Sequence, residues 1–320
     1  MRTAIIGFGN LGRGVLRALM RAEDARIVGI FSRREKNEVC TEANISVYPA
    51  DRLFDFENDI DVLFICGGSA DDLPVWTPRF AHYFNVVDSF DRHPEIRKHF
   101  ERVDSAAKEE NHLALISAGW DPGILSAVRC ASKAVLPDCR TVTFWGEGVS
   151  QGHSEALRRI NGVKDAFEVT VPNAEAVKSA GENGIFENDD RKNHIRRCYV
   201  TADEGADRKR IENEIRTMPV YFDGYETEVN FVSEIELYSR FSSLYHKGRV
   251  LSAYDKNGTE AQADFKLSMR SNPDFTGAVL VACGRAVYAA AKRGRTGAVT
   301  VFDLPLADML PPSLSAFDCL

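Results

Sequence analysis

The chain has 320 residues, of which 44% are hydrophobic and 27% charged, and its formal net charge at pH 7 is −7. These values describe an ordinary globular protein of one large or two smaller domains, and the acidic balance argues against a nucleic-acid partner. The seven cysteines (Cys40, Cys66, Cys130, Cys139, Cys198, Cys283 and Cys319) are scattered and lack a CxxC pair, which indicates reduced thiols in a cytoplasmic protein rather than a disulfide framework.

The first predicted strand begins within a few residues of Met1, where no signal peptide fits, and no apolar run is read as approaching a membrane span. From there the first third of the chain alternates strand and helix. Strands are predicted over 2–7, 26–31, 61–66, 84–88 and 112–117, and helices over 10–23, 74–83 and 94–110. Short βα units in series imply a doubly wound parallel sheet, so the fold class is α/β with a Rossmann-type first domain. Ligands bind such sheets beyond the carboxyl ends of the strands. The segments to search are therefore 7–12, 32–34, 66–72, 88–93 and 117–123.

The first of these carries the strongest motif. AIIGFGNLG (4–12) is an apolar strand running into Gly7-x-Gly9-x-x-Gly12 at a helix start. Such a turn admits a dinucleotide pyrophosphate, with the helix N-terminus facing the phosphates. Gly7, Gly9, Asn10, Leu11 and Gly12 are therefore candidate cofactor residues. A site for NAD usually ends the second strand on Asp or Glu, which holds the ribose 2′-OH. Here that place holds Ser32, Arg33 and Arg34. A hydroxyl and two guanidinium groups attract a 2′-phosphate, so the expected cofactor is NADP. Cys66, Gly67, Ser69 and Ala70, past a further strand, complete the candidate set.

After about residue 120 the pattern changes. A helix is predicted over 123–135, then period-two strands over 141–146, 166–172, 196–203, 225–237 and 262–269, which argue for an antiparallel or mixed sheet in a second α+β domain. Helices intervene over 173–181 and 205–217, and the polar stretch 181–194 reads as an exposed loop. A last helix is predicted over 274–293, after which the tail returns to the first domain. The expected domains are residues 1–119, joined by about 295–320, for dinucleotide binding, and 120–294 for substrate binding and dimerisation. The seven histidines form neither HExxH nor a zinc-spaced cluster, so no metal is expected.

Three segments are denser in polar and aromatic residues than structure requires: VVDSFDRH (86–93), ISAGWDPG (116–123) and FWGEGVSQGHSEALRR (144–159). With GFGNLG, FSRR, NEIRTMPVYFDGYETEVNF (213–231) and NPDFT (272–276), they make the chain closely resemble the meso-diaminopimelate D-dehydrogenase family over nearly its whole length. The resemblance implies NADP-dependent, reversible oxidative deamination of meso-2,6-diaminopimelate at its D-centre, giving L-2-amino-6-oxopimelate and ammonia, by a homodimer. It implies Asp91 and Asp121 near the D-amine, Trp120 and Trp145 lining the site, and Gln151 and Gly152 at the D-carboxylate. At the distant L-centre it implies Thr170, Arg196, His246 and Asn272.

Physical reading leaves alternatives beside these roles. Asp91 and Asp121 also suit Asx-turn capping, the tryptophans suit core packing, and His153 reads as a structural histidine. Arg196 suits a bidentate carboxylate contact, while a one-residue change of register would substitute Arg197. The proton carrier is open between Asp91, Asp121 and a bound water. The competing functions are a reductase of another lysine-pathway or opine-like substrate on the same scaffold and an NADP(H)-sensing protein without turnover.

Overall fold

The computed structural model describes residues 1–34, 39, 45–136, 138–183, 189–241, 243–256 and 259–320. Cys40 and the middle of the 181–194 stretch lie outside the described residues. The chain forms two compact units, Met1–Ala127 with Pro273–Leu320, and Val128–Asn272. The divisions therefore fall after 127 and after 272, against 119 and 294 read from the sequence.

The first unit follows the βα pattern: β1 (Arg2–Ile6), α1 (Asn10–Met20), β2 (Arg26–Ser32), β3 (Val47–Pro49), β4 (Val62–Ile65), α2 (Leu73–Ala81), β5 (Val86–Asp88), α3 (Ile96–Glu109), β6 (Leu113–Leu115) and the start of α4 (Ile124–Val135). Sequence reading missed β3 and the 3-10 turns over Ala50–Asp59 that follow it. A three-residue strand is too short to show a period.

The second unit contains β7 (Arg140–Trp145), β8 (Gly148–Ser150), α5 (Gln151–Arg158), β9 (Val163–Pro172), α6 (Ala174–Asn183), α7 (Asp190–Asn193), β10 (His194–Ala202), α8 (Arg208–Arg216), β11 (Glu226–Phe231), α9 (Glu234–Arg240), β12 (His246–Lys256) and β13 (Thr259–Met269). One sheet has the order β11-β10-β9-β8, the other β13-β12-β7. All pairs are antiparallel except β10 with β11, so the expected mixed second sheet is present as two. Two sequence expectations need correction here. The strand read over 225–237 stops at Phe231, because Ser233 caps α9 by accepting a hydrogen bond from Glu236 N at 3.3 Å. The stretch read as a loop over 181–194 instead contains the end of α6, all of α7 and the first residue of β10.

The chain then returns to the first unit through α10 (Asn272–Lys292) and β14 (Gly297–Val299). β14 pairs in parallel with β6, completing a seven-stranded sheet of order β14-β6-β5-β4-β1-β2-β3. Helix α10 corrects the reading that no segment approaches a membrane span. It is long and apolar enough by length and composition. Its Leu280, Cys283, Ala286 and Val287 are nevertheless buried in the core that includes Ile5, Phe64 and Leu115 of the sheet. A second apolar layer, with Phe31, Leu63, Phe80 and Val103, covers the other face. A parallel sheet clad on both sides offers ligands only its strand ends.

Candidate active site

The five segments singled out by sequence all follow strands of the parallel sheet, so they gather at one edge, that of the strand carboxyl ends. β1 lies between β4 and β2, so chain order reverses beside the Gly-rich turn, the usual place for a nucleotide. Gly7 has φ +88°, and a Cβ there would lie 2.7 Å from Cys66 O. A Cβ on Gly12 would meet Gly7 O at 2.3 Å, whereas one on Gly9 would meet nothing within 4 Å. The outer two glycines are thus needed by the turn itself, and Gly9 faces open space that a pyrophosphate can use. Gly9 also caps α1, with Asn10 and Leu11 in the first turn.

At the end of β2 the Ser32 hydroxyl is buried and accepts a hydrogen bond from Arg34 N at 3.0 Å. The Arg34 side chain donates to Phe8 O in the Gly-rich turn. Arg33 pairs with Asp72 at 3.0 Å and stacks over Trp76, its Cζ 4.7 Å from the ring centroid. Asp72 also accepts from Gly68 N at 3.0 Å, so it ties Arg33 to the loop carrying Cys66, Gly67, Ser69 and Ala70. Both guanidinium groups are held at the strand ends, which fits a phosphorylated ribose.

Asp88, at the end of β5, is fully buried. Its Oδ2 accepts from Thr77 Oγ1 of α2 and contacts His99 Nε2 of α3, each at 2.7 Å. Its Oδ1 accepts from Phe90 N at 3.1 Å and from Ser117 N at 2.8 Å. One carboxylate therefore fixes the backbone of both loops that carry Asp91 and Asp121. Asp91 N donates to Ser69 Oγ at 3.3 Å, linking its loop to the one after β4. Desolvation by surrounding protein raises the Asp91 pKa, against the Ser69 hydrogen bond and the charge of His93. Its surface is open to water, which limits that rise. Asp121 lies in a tight turn where Trp120 bridges to Gly123, and its Oδ1 accepts from Ser126 Oγ at 3.4 Å. Removing the Asp88 carboxylate would strand several buried donors, each costing about 1–3 kcal/mol. Asp88→Ala is therefore expected to lose roughly 4 kcal/mol of stability. Urea denaturation checks this, and a loss under about 1 kcal/mol would show that the hub is not needed.

The second unit contributes a separate polar cluster. Arg196 of β10 lies opposite Thr170 of β9, and its guanidinium donates to Thr170 Oγ1 at 2.6 Å. Its Cζ lies 4.2 Å from the ring centroid of Tyr225. The buried Nε of Arg196 has no acceptor among the described residues. Arg197 faces the other side of the strand and donates to Glu228 at 2.6 Å. The inward guanidinium is thus that of Arg196. His246 opens β12, is buried, and its Nδ1 lies 2.7 Å from Lys247 O. Burial lowers its pKa to about 4, so at neutral pH its imidazole is uncharged. Asn272 begins α10, its N–H donating to Leu244 O at 2.8 Å.

Trp145 ends β7, and its N–H donates to His194 Nε2 at 2.9 Å, while His194 Nδ1 bonds to Asp190 O at 3.0 Å. An Nε2 that accepts requires neutral imidazole, in accord with a pKa lowered by burial to about 4. Gln151 and Gly152 form the first turn of α5, capped by Ser150. Ser150 Oγ lies 2.5 Å from His153 Nδ1. Burial first, then Arg196 and His246, pull the His153 pKa well below its ordinary value. Gly152 is exposed, and a Cβ there would meet nothing within 4 Å.

The comparisons with known proteins agree along the whole chain. Residues 119–271 match the family model described as the diaminopimelic acid dehydrogenase C-terminal domain. The meso-diaminopimelate D-dehydrogenase of Ureibacillus thermosphaericus is 46% identical over 314 residues, covering 98% of this chain and 96% of that protein. The chain belongs to the meso-diaminopimelate D-dehydrogenase family. Among solved structures, the Corynebacterium glutamicum diaminopimelate dehydrogenase in complex with diaminopimelate superposes with a TM-score of 0.91 at 40% identity, covering 100% of this chain and 98% of that one. An engineered D-amino acid dehydrogenase bound to NADP⁺ superposes with a TM-score of 0.89 at 39% identity, covering 99% and 98%.

Sequence reasoning missed two residues of the second-unit cluster that this family fold brings together. Glu168 is fully buried, its side chain accepting from Thr170 Oγ1 at 3.0 Å and lying 3.8 Å from Arg196. Tyr225 supplies the ring over Arg196. Glu168 left a faint signal: Ala166, Glu168 and Thr170 share one face of β9 by alternation, so an inward Thr170 carries Glu168 inward with it. Sequence reading put Tyr225 at the start of a strand and gave it no role at the site; it reaches Arg196 from the turn before β11.

Proposed function

We propose that this protein is an NADP-dependent dehydrogenase that oxidatively deaminates meso-2,6-diaminopimelate at its D-centre, releasing L-2-amino-6-oxopimelate and ammonia. The observation that carries this reading is the 46% identity to a meso-diaminopimelate D-dehydrogenase along 98% of the chain. A different lysine-pathway substrate, or NADP(H) sensing without turnover, has no comparable support. NADPH absorbance, followed with meso-diaminopimelate and NADP⁺, tests the reading. No NADPH formed under any condition would refute it.

The residues divide the work by chemistry. Gly7, Gly9, Asn10, Leu11, Gly12, Ser32, Arg33, Arg34, Cys66, Gly67, Ser69 and Ala70 hold NADP, which when bound supplies the hydride acceptor. Asp91 and Asp121 hold the reacting ammonium. Trp120 and Trp145 wall the reacting end, and Gln151 with Gly152 receives its carboxylate. Thr170, Arg196, His246 and Asn272 hold the far, L-configured end. Loss of the Cα hydrogen as hydride leaves an imine, to which water adds, and a carboxylate that takes up protons serves both steps. The first unit binds the dinucleotide and supplies Asp91, Trp120 and Asp121, the second supplies the remaining substrate residues and forms a cytoplasmic homodimer, and neither nucleic acid nor membrane is a partner.

Cofactor choice gives a direct test. Replacing Arg33 and Arg34 by Ala should weaken NADP⁺ binding by about 1.5–3 kcal/mol for each charge-assisted hydrogen bond to the 2′-phosphate that is removed, with little change for NAD⁺. Fluorescence titration with both cofactors measures this, and a wild-type preference for NAD⁺ would sink the assignment.

A further inference from the structure

Thr170 has one hydroxyl hydrogen. It is donated to Glu168, whose oxygens lie 3.0 and 3.2 Å away. The same oxygen accepts from Arg196 at 2.6 Å, so a relay runs from Arg196 through Thr170 to Glu168. Glu168 is fully buried, and its N–H donates to Ser154 Oγ at 2.9 Å. A buried carboxylate is maintained only by its partners. Here Arg196 is its cation, and Arg196 is also the group that meets a ligand carboxylate in the function proposed above, on which this inference rests.

We propose that Glu168 is the resident counter-ion of Arg196, and that a ligand carboxylate arriving at Arg196 draws one proton onto Glu168. The incoming charge offsets the field that keeps Glu168 ionised. Once protonated, Glu168 has a hydrogen to donate to Thr170, and the Thr170 hydroxyl is released to turn toward the ligand. The relay reverses with each group still satisfied: Thr170 accepts from Arg196 and Glu168, and donates to the ligand. A ligand without a far carboxylate leaves the relay as it stands. Glu168 is thereby a specificity-determining residue for two-ended substrates.

The pH window follows from the groups around it. Burial raises the Glu168 pKa to about 7, against the charge of Arg196 and the hydrogen bond from Thr170. At pH 8 the free protein therefore carries mostly ionised Glu168, and at pH 6 mostly neutral Glu168. The other titratable groups facing this cluster among the described residues are His194 and Cys198 on β10, His153 on α5, His246 on β12 and Tyr225, whose ring lies over Arg196, with Arg216 on α8 beyond Cys198. Burial, then Glu168, raises Cys198 well above its ordinary value. Burial, then Arg196 and His246, lowers His153, and burial lowers His246 to about 4. The arginines stay charged. Burial likewise lowers His194 to about 4, so of the groups whose pKa values are displaced here only Glu168 changes charge between pH 6 and 8.

The test is calorimetric titration of meso-diaminopimelate into protein loaded with NADPH, which cannot accept a hydride, so that binding occurs without turnover. Buffers of differing ionisation heat report the protons exchanged. Wild type should take up close to one proton at pH 8 and close to none at pH 6, and its affinity should fall by up to about tenfold per pH unit above pH 7. Glu168→Gln, whose amide can donate to Thr170 permanently, should show neither effect. D-Alanine should show no such uptake with wild type. Absence of uptake at pH 8, or equal uptake in Glu168→Gln, overturns the proposal. Where that variant does not fold, equal uptake for meso-diaminopimelate and D-alanine overturns it. An Arg196→Ala protein that binds meso-diaminopimelate as tightly as wild type removes the functional reading as well, whereas weakened binding without a Glu168 proton removes this inference alone.

Discussion

Asp91→Asn and Asp121→Asn are each expected to lower the rate of meso-diaminopimelate oxidation by about 10²–10⁴-fold, the usual range for losing a group that handles protons. Asn keeps the shape and the Asx-turn oxygen of Asp, so a residue that only caps its loop would tolerate the change. It cannot hold an ammonium by charge or take up a proton. The loops themselves should survive, because their backbones are fixed by Asp88 through Phe90 N and Ser117 N. NADPH fluorescence should accordingly report near-normal cofactor affinity, and thermal melting a small change. The raised pKa of Asp91, caused first by desolvation, brings its proton affinity nearer to the working pH than that of a free carboxylate. Near-normal kcat/KM in both variants would reduce the two aspartates to turn residues.

Arg196→Ala should cost about 2–5 kcal/mol in kcat/KM for meso-diaminopimelate, the range for truncating one side of a buried charged pair. Distant binding energy orients the reacting end, so kcat should fall as well as affinity. D-Alanine has no far carboxylate and should lose roughly threefold or less, what a remote packing change costs. The same logic sets stereochemistry. The two ends of diaminopimelate are chemically alike, and selectivity must come from unlike partners, in the proposed assignment carboxylates at the D-end and a guanidinium at the L-end. The L,L isomer can satisfy Arg196, but its other Cα presents the wrong hydrogen, so essentially no oxidation is expected. Comparable decreases for meso-diaminopimelate and D-alanine in the Arg196 variant, or equal oxidation of the meso and L,L isomers, would contradict this division of labour.

By itself the amino-acid sequence determined the parallel first sheet, the Gly-rich turn, the place of Ser32-Arg33-Arg34 and the loops bearing Asp91 and Asp121. These features are local: a strand, a turn and a helix start lie within a few residues, and their side-chain period or glycine spacing is written in order. It did not reveal β12. Burial alternates there from His246 to Val250, but Val250, Leu251, Ser252 and Ala253 are then buried in succession, which breaks the period-two pattern. It missed the Ser233 cap that ends β11, because apolar residues continue beyond it. What only the tertiary structure decided is non-local. Asp88 looked like one acid in a polar string, and only the packing of α2, α3 and the β6 loop around it makes it a hub. The choice between Arg196 and Arg197 depends on which face of β10 meets the buried layer, since a one-residue slip exchanges the faces. Glu168 acquired a role only when antiparallel pairing set Arg196 opposite Thr170 and burial withdrew both charges from water, where alone a carboxylate is indifferent to its neighbours.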